Sequence, residues 1–204
     1  MLKDFFDRDY FEAGLETGKS CYQNYKWMPE ETVSLAMRFI DHFNLSREDL
    51  ILDYGCSKGY LVKAFRLLHR RAFGFDISTY AISQVPKEVK DFCWSDDLLI
   101  KNFKLCIAKD VFEHVPLLAL QDLLVKNLKA EKLFAVIPLG EKGVYRSRVN
   151  NLDPSHIVCY SEMEWMKFFE DTKQWVIDDF SFSFEGLKEH HPKESHGFFT
   201  LRHV

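Results

Sequence analysis

Short apolar runs alternate with stretches of helical periodicity along most of this chain. Leu50 to Asp53, Ala72 to Asp76, Asp91 to Trp94, Leu105 to Lys109 and Lys132 to Pro138 read as buried strands one to five. Between them the apolar period lengthens. Val33, Met37, Ile40 and Phe43 predict a helix from Pro29 to about Asn44, and Leu61, Phe65 and Leu68 predict one from Lys58 to His69. Ser78 can cap a short helix ending near Pro86, and a further helix is expected from Leu117 to Leu128. Ser161-Glu162-Met163-Glu164 has the form of a capping box, with Trp165, Phe168 and Phe169 facing inward behind it.

Strands that alternate with helices imply an α/β fold, a mostly parallel sheet covered on both faces. The end of the chain departs from that rhythm. Trp175 to Phe184 and Phe198 to Val204 read as strands with no helix between them, so Gly186 to Gly197 is expected to join them as an antiparallel pair. Two segments fit no regular element. Residues 1–30 are polar and aromatic with weak periodicity. The stretch from Leu139 to Tyr160 is too long for an idle connection, and such loops usually carry function. No linker or repeat divides the chain, and a single domain spanning 1–204 is expected.

Composition narrows the classes. A formal net charge of −4 gives no global basic field for nucleic acid or an anionic membrane. Five cysteines, an odd number without any C-x-x-C spacing, argue against a disulfide framework or a zinc knuckle and for reduced thiols in the cytoplasm. The first residues lack the apolar core of a signal peptide, and no stretch approaches a membrane span. The 19 phenylalanines exceed what ligand stacking needs, so most are assigned to packing.

The candidate chemistry starts at Asp53-Tyr54-Gly55-Cys56-Ser57-Lys58-Gly59, between the first strand and its helix. Gly55 lets the backbone turn and Gly59 lets the helix approach a ligand. Seventeen residues past Gly59 a second strand ends at Asp76, where a carboxylate can take both hydroxyls of a ribose. A dinucleotide cradle wants glycine at two positions that here hold Ser57 and Tyr60, and Asp53 would repel a pyrophosphate. A ligand with an ammonium end and a ribose suits both acids. S-adenosylmethionine is such a ligand.

The stretch resembles motif I of the class I S-adenosylmethionine-dependent methyltransferases, [DE]-x-G-x-G-x-G, with Ser57 in place of the central glycine. Further matches follow in order over roughly residues 30–184. Asp76, with Ile77 beside it, falls where the family's ribose-binding acid lies. Ser95-Asp96-Asp97 looks like the segment whose acid meets the adenine amino group. Asp110-Val111-Phe112-Glu113-His114-Val115 looks like the D-x-x-E-H-V that follows the fourth strand. Cys21-Tyr22-Gln23-Asn24-Tyr25-Lys26-Trp27 is similar to the aromatic lead-in of many small methyltransferases. The resemblance implies a Rossmann-like seven-stranded sheet with an antiparallel last strand. It also implies S-adenosylmethionine as cofactor, bound by Asp53, Gly55, Ser57, Gly59, Asp76, Ile77, Asp96, Asp97 and Asp110.

On the acceptor side two histidines compete as catalytic base. His114 follows strand four, where a structural histidine bonded to backbone is the better expectation. His156 stands in the long loop, with catalytic and structural roles evenly weighed. Tyr22, Tyr25 and Trp27 either dock the first segment or form a lid over the substrates. Arg146 and Arg148, with Lys142, either form a solvated face or hold an anionic acceptor. His190, His191 and His196 read as a solvated turn, and no metal ligand set is expected. The expected function is methyl transfer to a small molecule, at oxygen. Two alternatives stand beside it: a nucleic-acid or protein methyltransferase, disfavoured by the absence of an [ND]-P-P-[YF] motif after strand four, and a non-catalytic donor-binding subunit.

Overall fold

The computed structural model describes residues 2–96 and 102–204. Two compact units are present, Met1–Leu99 and Ile100–Val204.

The first unit begins with three short helices, α1 (Leu2–Phe5), α2 (Arg8–Glu12) and α3 (Gly14–Thr17), followed by α4 (Pro29–His42). Pro29 starts α4 where its missing N–H costs nothing. The buried face of α4 is Leu35, Ala36 and Phe39, whereas Met37 is exposed. The stripe expected through Met37 is therefore corrected. The bulky i, i+4 pair Leu35 and Phe39 takes the core, and Phe39 meets Phe65 of α5 (Tyr60–Leu67) at 6.3 Å between ring centroids. Strands β1 (Leu50–Tyr54), β2 (Arg71–Phe75) and β3 (Cys93–Trp94) pair in parallel, β1 on β2 and β2 on β3. Between β2 and β3 lie α6 (Thr79–Ser83), capped by the Ser78 hydroxyl as expected, and a 3-10 turn over Lys87–Phe92. That turn shortens β3 to two residues, against the longer strand the apolar run suggested.

The second unit holds β4 (Phe103–Lys109), α7 (Leu117–Asp122), β5 (Ala130–Pro138), a small antiparallel pair β6 (Gly140–Glu141) and β7 (Val144–Tyr145), then α8 (Glu162–Asp171), β8 (Trp175–Ser181) and β9 (His196–His203). β4 and β5 are parallel; β9 runs antiparallel between β5 and β8. The capping box of α8 forms in full: the Ser161 side chain accepts from the Glu164 amide, and Glu164 reaches back to the Ser161 amide. Trp165 and Phe169 are fully buried behind it. The strand order is β3-β2-β1-β4-β5-β9-β8 in a seven-stranded sheet, with β1 to β3 parallel in the first unit, β4 and β5 parallel in the second, and β9 reversed between β5 and β8. Among the described residues no helix is long and apolar enough to cross a membrane.

Candidate active site

The turn after β1 is wound largely in left-handed backbone. Gly55, Ser57 and Gly59 have φ of 83°, 51° and 70°. Glycine adopts that region freely, but Ser57 bears a cost of about 1–2 kcal/mol. Gly59 is required on two counts, since a Cβ there would lie 3.0 Å from the Cys93 sulfur as well as at positive φ. Asp76 braces the strained position. One carboxylate oxygen accepts from the Ser57 amide at 2.7 Å and the other from the Ser78 amide at 2.7 Å. Burial pushes the Asp76 carboxyl up to about 6, against the opposing pull of the Ser78 and Ser57 amides. The Ser57 hydroxyl is buried in this turn with no hydrogen-bond partner. Asp53 is buried, Ile77 and Asp96 are exposed, and Asp97 lies outside the described residues.

Lys58, which the motif passes over as a variable position, is the residue the sequence reading missed. Its ammonium group is buried, donating to Glu12 Oε1 at 2.5 Å and to the Tyr25 carbonyl at 2.6 Å. The Tyr80 hydroxyl donates to the same Glu12 oxygen. The first segment is thereby pinned to the glycine turn at Glu12 and Tyr25. Tyr10, Phe11, Tyr22 and Tyr25 form one aromatic cluster with Tyr80. Tyr25 and Trp27 also lean on Tyr60, the first residue of α5. The docking role of the aromatic lead-in is thus visible: Tyr22 packs inside the cluster, and Trp27 sits at its edge beneath Lys63. The signal that was available is a lysine between a serine and a glycine of the turn, with an acid at Glu12 to meet it.

The second unit gathers Glu113, His114 and His156. The loop Asp153-Pro154-Ser155-His156 closes on itself, with Asp153 Oδ1 accepting from both the amide and the hydroxyl of Ser155. The Glu113 carbonyl then accepts from the Ile157 and Val158 amides at 2.9 and 3.0 Å, which fixes the loop against the turn after β4. The Ser155 proton is committed to Asp153, so Ser155 Oγ accepts from His114 Nδ1 at 2.9 Å. His156 Nδ1 donates to the Asn150 carbonyl at 2.9 Å. With Nδ1 the protonated nitrogen in each ring, Nε2 of both faces Glu113 Oε1, at 3.8 Å from His114 and 3.9 Å from His156. Glu113 is fully buried, and neither carboxylate oxygen has a hydrogen-bond partner. Burial, and then the Asp110 charge, pushes its carboxyl well above the usual range. Burial lowers His114 to about 4 and lowers His156 as well. Both imidazoles are then neutral near pH 7, and their contacts with Glu113 are not ion pairs.

The remaining positions are placed as follows. Asp110 adopts φ of 56° and receives Lys109 and Lys188 at 3.0 and 2.6 Å. Although burial opposes ionisation, those lysine charges hold its carboxyl well below the ordinary range. Arg146 is clamped between Glu141, Glu162 and the Glu194 carbonyl, whereas Arg148 is exposed. The solvated histidine turn needs a correction: His190 is exposed, but His196 lies buried in β9 with Nδ1 on Ser195. It is the first residue of β9, whose first six residues are all buried.

No protein-family model matches the chain, and no curated protein matches it. Solved structures do. Magnesium protoporphyrin IX methyltransferase from Synechocystis PCC 6803, with bound SAH, superposes over 100% of both chains at TM-score 0.66 and 14% identity. The glycopeptide N-methyltransferase MtfA, complexed with sinefungin, matches with 85% of this chain and 87% of its own at TM-score 0.61 and 13% identity. Geranyl diphosphate C-methyltransferase from Streptomyces coelicolor A3(2) matches with 84% of this chain and 79% of its own at TM-score 0.60 and 16% identity. At these identities the likeness speaks to architecture, and the architecture of this chain is the class I methyltransferase fold.

Proposed function

We propose that this protein binds S-adenosylmethionine at the glycine turn and transfers its methyl group to the oxygen of a small-molecule acceptor. The observation that carries the reading is the turn itself. Left-handed Ser57 costs conformational energy that the Asp76 brace offsets, and at the centre of the turn the Ser57 hydroxyl is buried without a partner. A buried orphan donor costs about 1–3 kcal/mol, which a ligand's polar end offsets. Asp53 suits the donor's ammonium, and Asp76, Ile77 and Asp96 are assigned to the ribose and adenine side. Three structural neighbours are methyltransferases of dissimilar substrates, which supports the reaction class and leaves the acceptor open.

In the reaction the acceptor oxygen attacks the methyl carbon and the carbon–sulfur pair returns to sulfur. The hydroxyl proton leaves, and S-adenosylhomocysteine is released. Alignment alone contributes roughly 7–11 kcal/mol. The proton is the protein's chemical task, and the unprotonated Nε2 atoms of His156 and His114 are the groups assigned to the acceptor hydroxyl. Tyr25 and Trp27 are assigned to the rim of the acceptor pocket. Arg148 is the exposed cation for an anionic group on the acceptor, with Arg146 already paired.

Calorimetry with S-adenosylhomocysteine on the wild type and on Asp76→Ala tests the donor site. Affinity lost in the variant is expected. Equal affinity in both, or preferential binding of a nicotinamide dinucleotide, overturns the reading. For the acceptor side, His156→Ala is expected to cut turnover about 10²–10⁴-fold with donor affinity unchanged.

A further inference from the structure

The geometry points to a divalent-cation site made by Glu113 Oε1, His114 Nε2 and His156 Nε2. The two Nε2 atoms lie 3.8 and 3.9 Å from Glu113 Oε1, and one ligand atom from each of the three residues lies within 4.8 Å of the others, on side chains shielded from solvent. The separations of 3.8 and 3.9 Å are too long for hydrogen bonds. They lie within half an ångström of the ligand–ligand edge, about 3.4 Å, of a tetrahedral ion with bonds of about 2.0–2.2 Å.

Three independent features favour a cation there. The first is Glu113, a fully buried carboxyl whose two oxygens have no hydrogen-bond partner. Burying such a group costs several kcal/mol unless something of opposite charge meets it. The second is the tautomer of both rings. Ser155 holds the Nδ1 proton of His114 and the Asn150 carbonyl holds that of His156, so both Nε2 lone pairs converge on the carboxylate. Ionised without a cation, Glu113 would repel both lone pairs; a cation among the three displaces the carboxyl proton and makes three bonds. The third is the outer layer: Asp153 fixes Ser155 and Ser155 fixes His114, the carboxylate-to-imidazole relay that orients ligands in metal sites. Two imidazoles and one carboxylate suit Zn²⁺ or Mn²⁺ better than Mg²⁺, which prefers oxygen. Three protein ligands leave a coordination position open, as in catalytic rather than structural sites.

Cation binding stands on these residues alone; its catalytic consequence rests on the methyl-transfer reading. An acceptor hydroxyl at the open position becomes more acidic, releases its proton to solvent, and attacks the donor methyl as an alkoxide. His114 and His156 then serve that oxygen through the ion.

The test uses the full chain, Zn²⁺ and Mn²⁺ as probes, and calorimetry with elemental analysis after dialysis. About one equivalent is expected in the wild type, with proton release on binding and a rise in Tm. Glu113→Gln and His156→Gln are expected to abolish stoichiometric binding, and Ser155→Ala to weaken it about 10–100-fold. Circular dichroism confirms that each variant is folded, and two different ligand variants guard against one failing to fold. No stoichiometric ion in the wild type, or unchanged affinity in both folded ligand variants, overturns the site. Ion binding without S-adenosylhomocysteine binding would leave the site standing and sink methyl transfer. Chelator-resistant turnover of a metal-free protein would sink the site's catalytic role while sparing methyl transfer.

Discussion

Lys58→Met tests whether one buried charge holds the first segment of the chain to the glycine turn. The lysine and Glu12 side chains are 7% and 22% exposed. Removing one partner of a fully buried pair costs about 3–5 kcal/mol, while an exposed pair is worth about 0–1. Glu12 retains the Tyr80 hydroxyl and some water, so the pair falls between these limits, at about 1–2 kcal/mol. The Tyr25 carbonyl loses its charged donor, adding about 1 kcal/mol. Methionine keeps much of the contact with the Tyr25 ring, so packing changes little. The expected loss is about 2–3 kcal/mol, confined to local opening of residues 2–27, or about 30- to 150-fold faster exchange. The reporters are the Asn24 and Tyr25 amides, which donate to the Glu12 and Phe11 carbonyls across the fold of the segment. Hydrogen exchange at neutral pH reads both. Charge can be separated from packing by acid. Burial acts to raise the Glu12 carboxyl, but hydrogen bonds from Lys58 and Tyr80 and the Lys58 charge outweigh it and hold it below 4.5. A depressed carboxylate stabilises above its unfolded value and loses that contribution as pH falls through the folded value. The gap between variant and wild type must therefore shrink below pH 4.5. Unchanged exchange at Asn24 and Tyr25, or a gap that persists undiminished in acid, refutes the reasoning.

Donor affinity should fall as pH drops through about 6, because Asp76 is then protonated and loses acceptor capacity for the ribose; Asp76→Asn should bind weakly with a flat profile in calorimetry. Gly74→Ala places a Cβ 2.6 Å from the Cys56 sulfur and 2.9 Å from Val62 Cγ2, so a loss of about 1–3 kcal/mol is expected in urea unfolding. Part of that loss should return in Gly74→Ala/Cys56→Ala, and additive destabilisation would show that the clash is not with the thiol. Trp175→Phe should cost about 1 kcal/mol more than Trp165→Phe in the same assay. The Trp175 indole donates to the Leu124 carbonyl, whereas the equally buried Trp165 indole has no partner; equal losses would refute the distinction.

What the sequence determined by itself was whatever is written in local pattern. The order of strands and helices, the Ser78 and Ser161 caps and the turn between Asp53 and Gly59 follow from residues a few positions apart. Apolar period, a serine at a helix start and glycine at positive φ act over that range. Face selection was less legible: the stripe through Met37 and the Leu35–Phe39 pair are both helical, and only the neighbouring α5 decides which is buried. Roles that depend on distant partners were not legible at all. Lys58 looked like a variable position until Glu12 and the Tyr25 carbonyl were found on its ammonium. Arg146 looked available for an anion until Glu141 and Glu162 closed on it. Glu113, His114 and His156 have no ligand spacing along the chain. The fold brings their three ligand atoms together because the Asp153 turn and two amides bonded to the Glu113 carbonyl set one loop against another. Charge, desolvation and lone-pair direction depend on distance in space, so that cluster belonged to the tertiary structure.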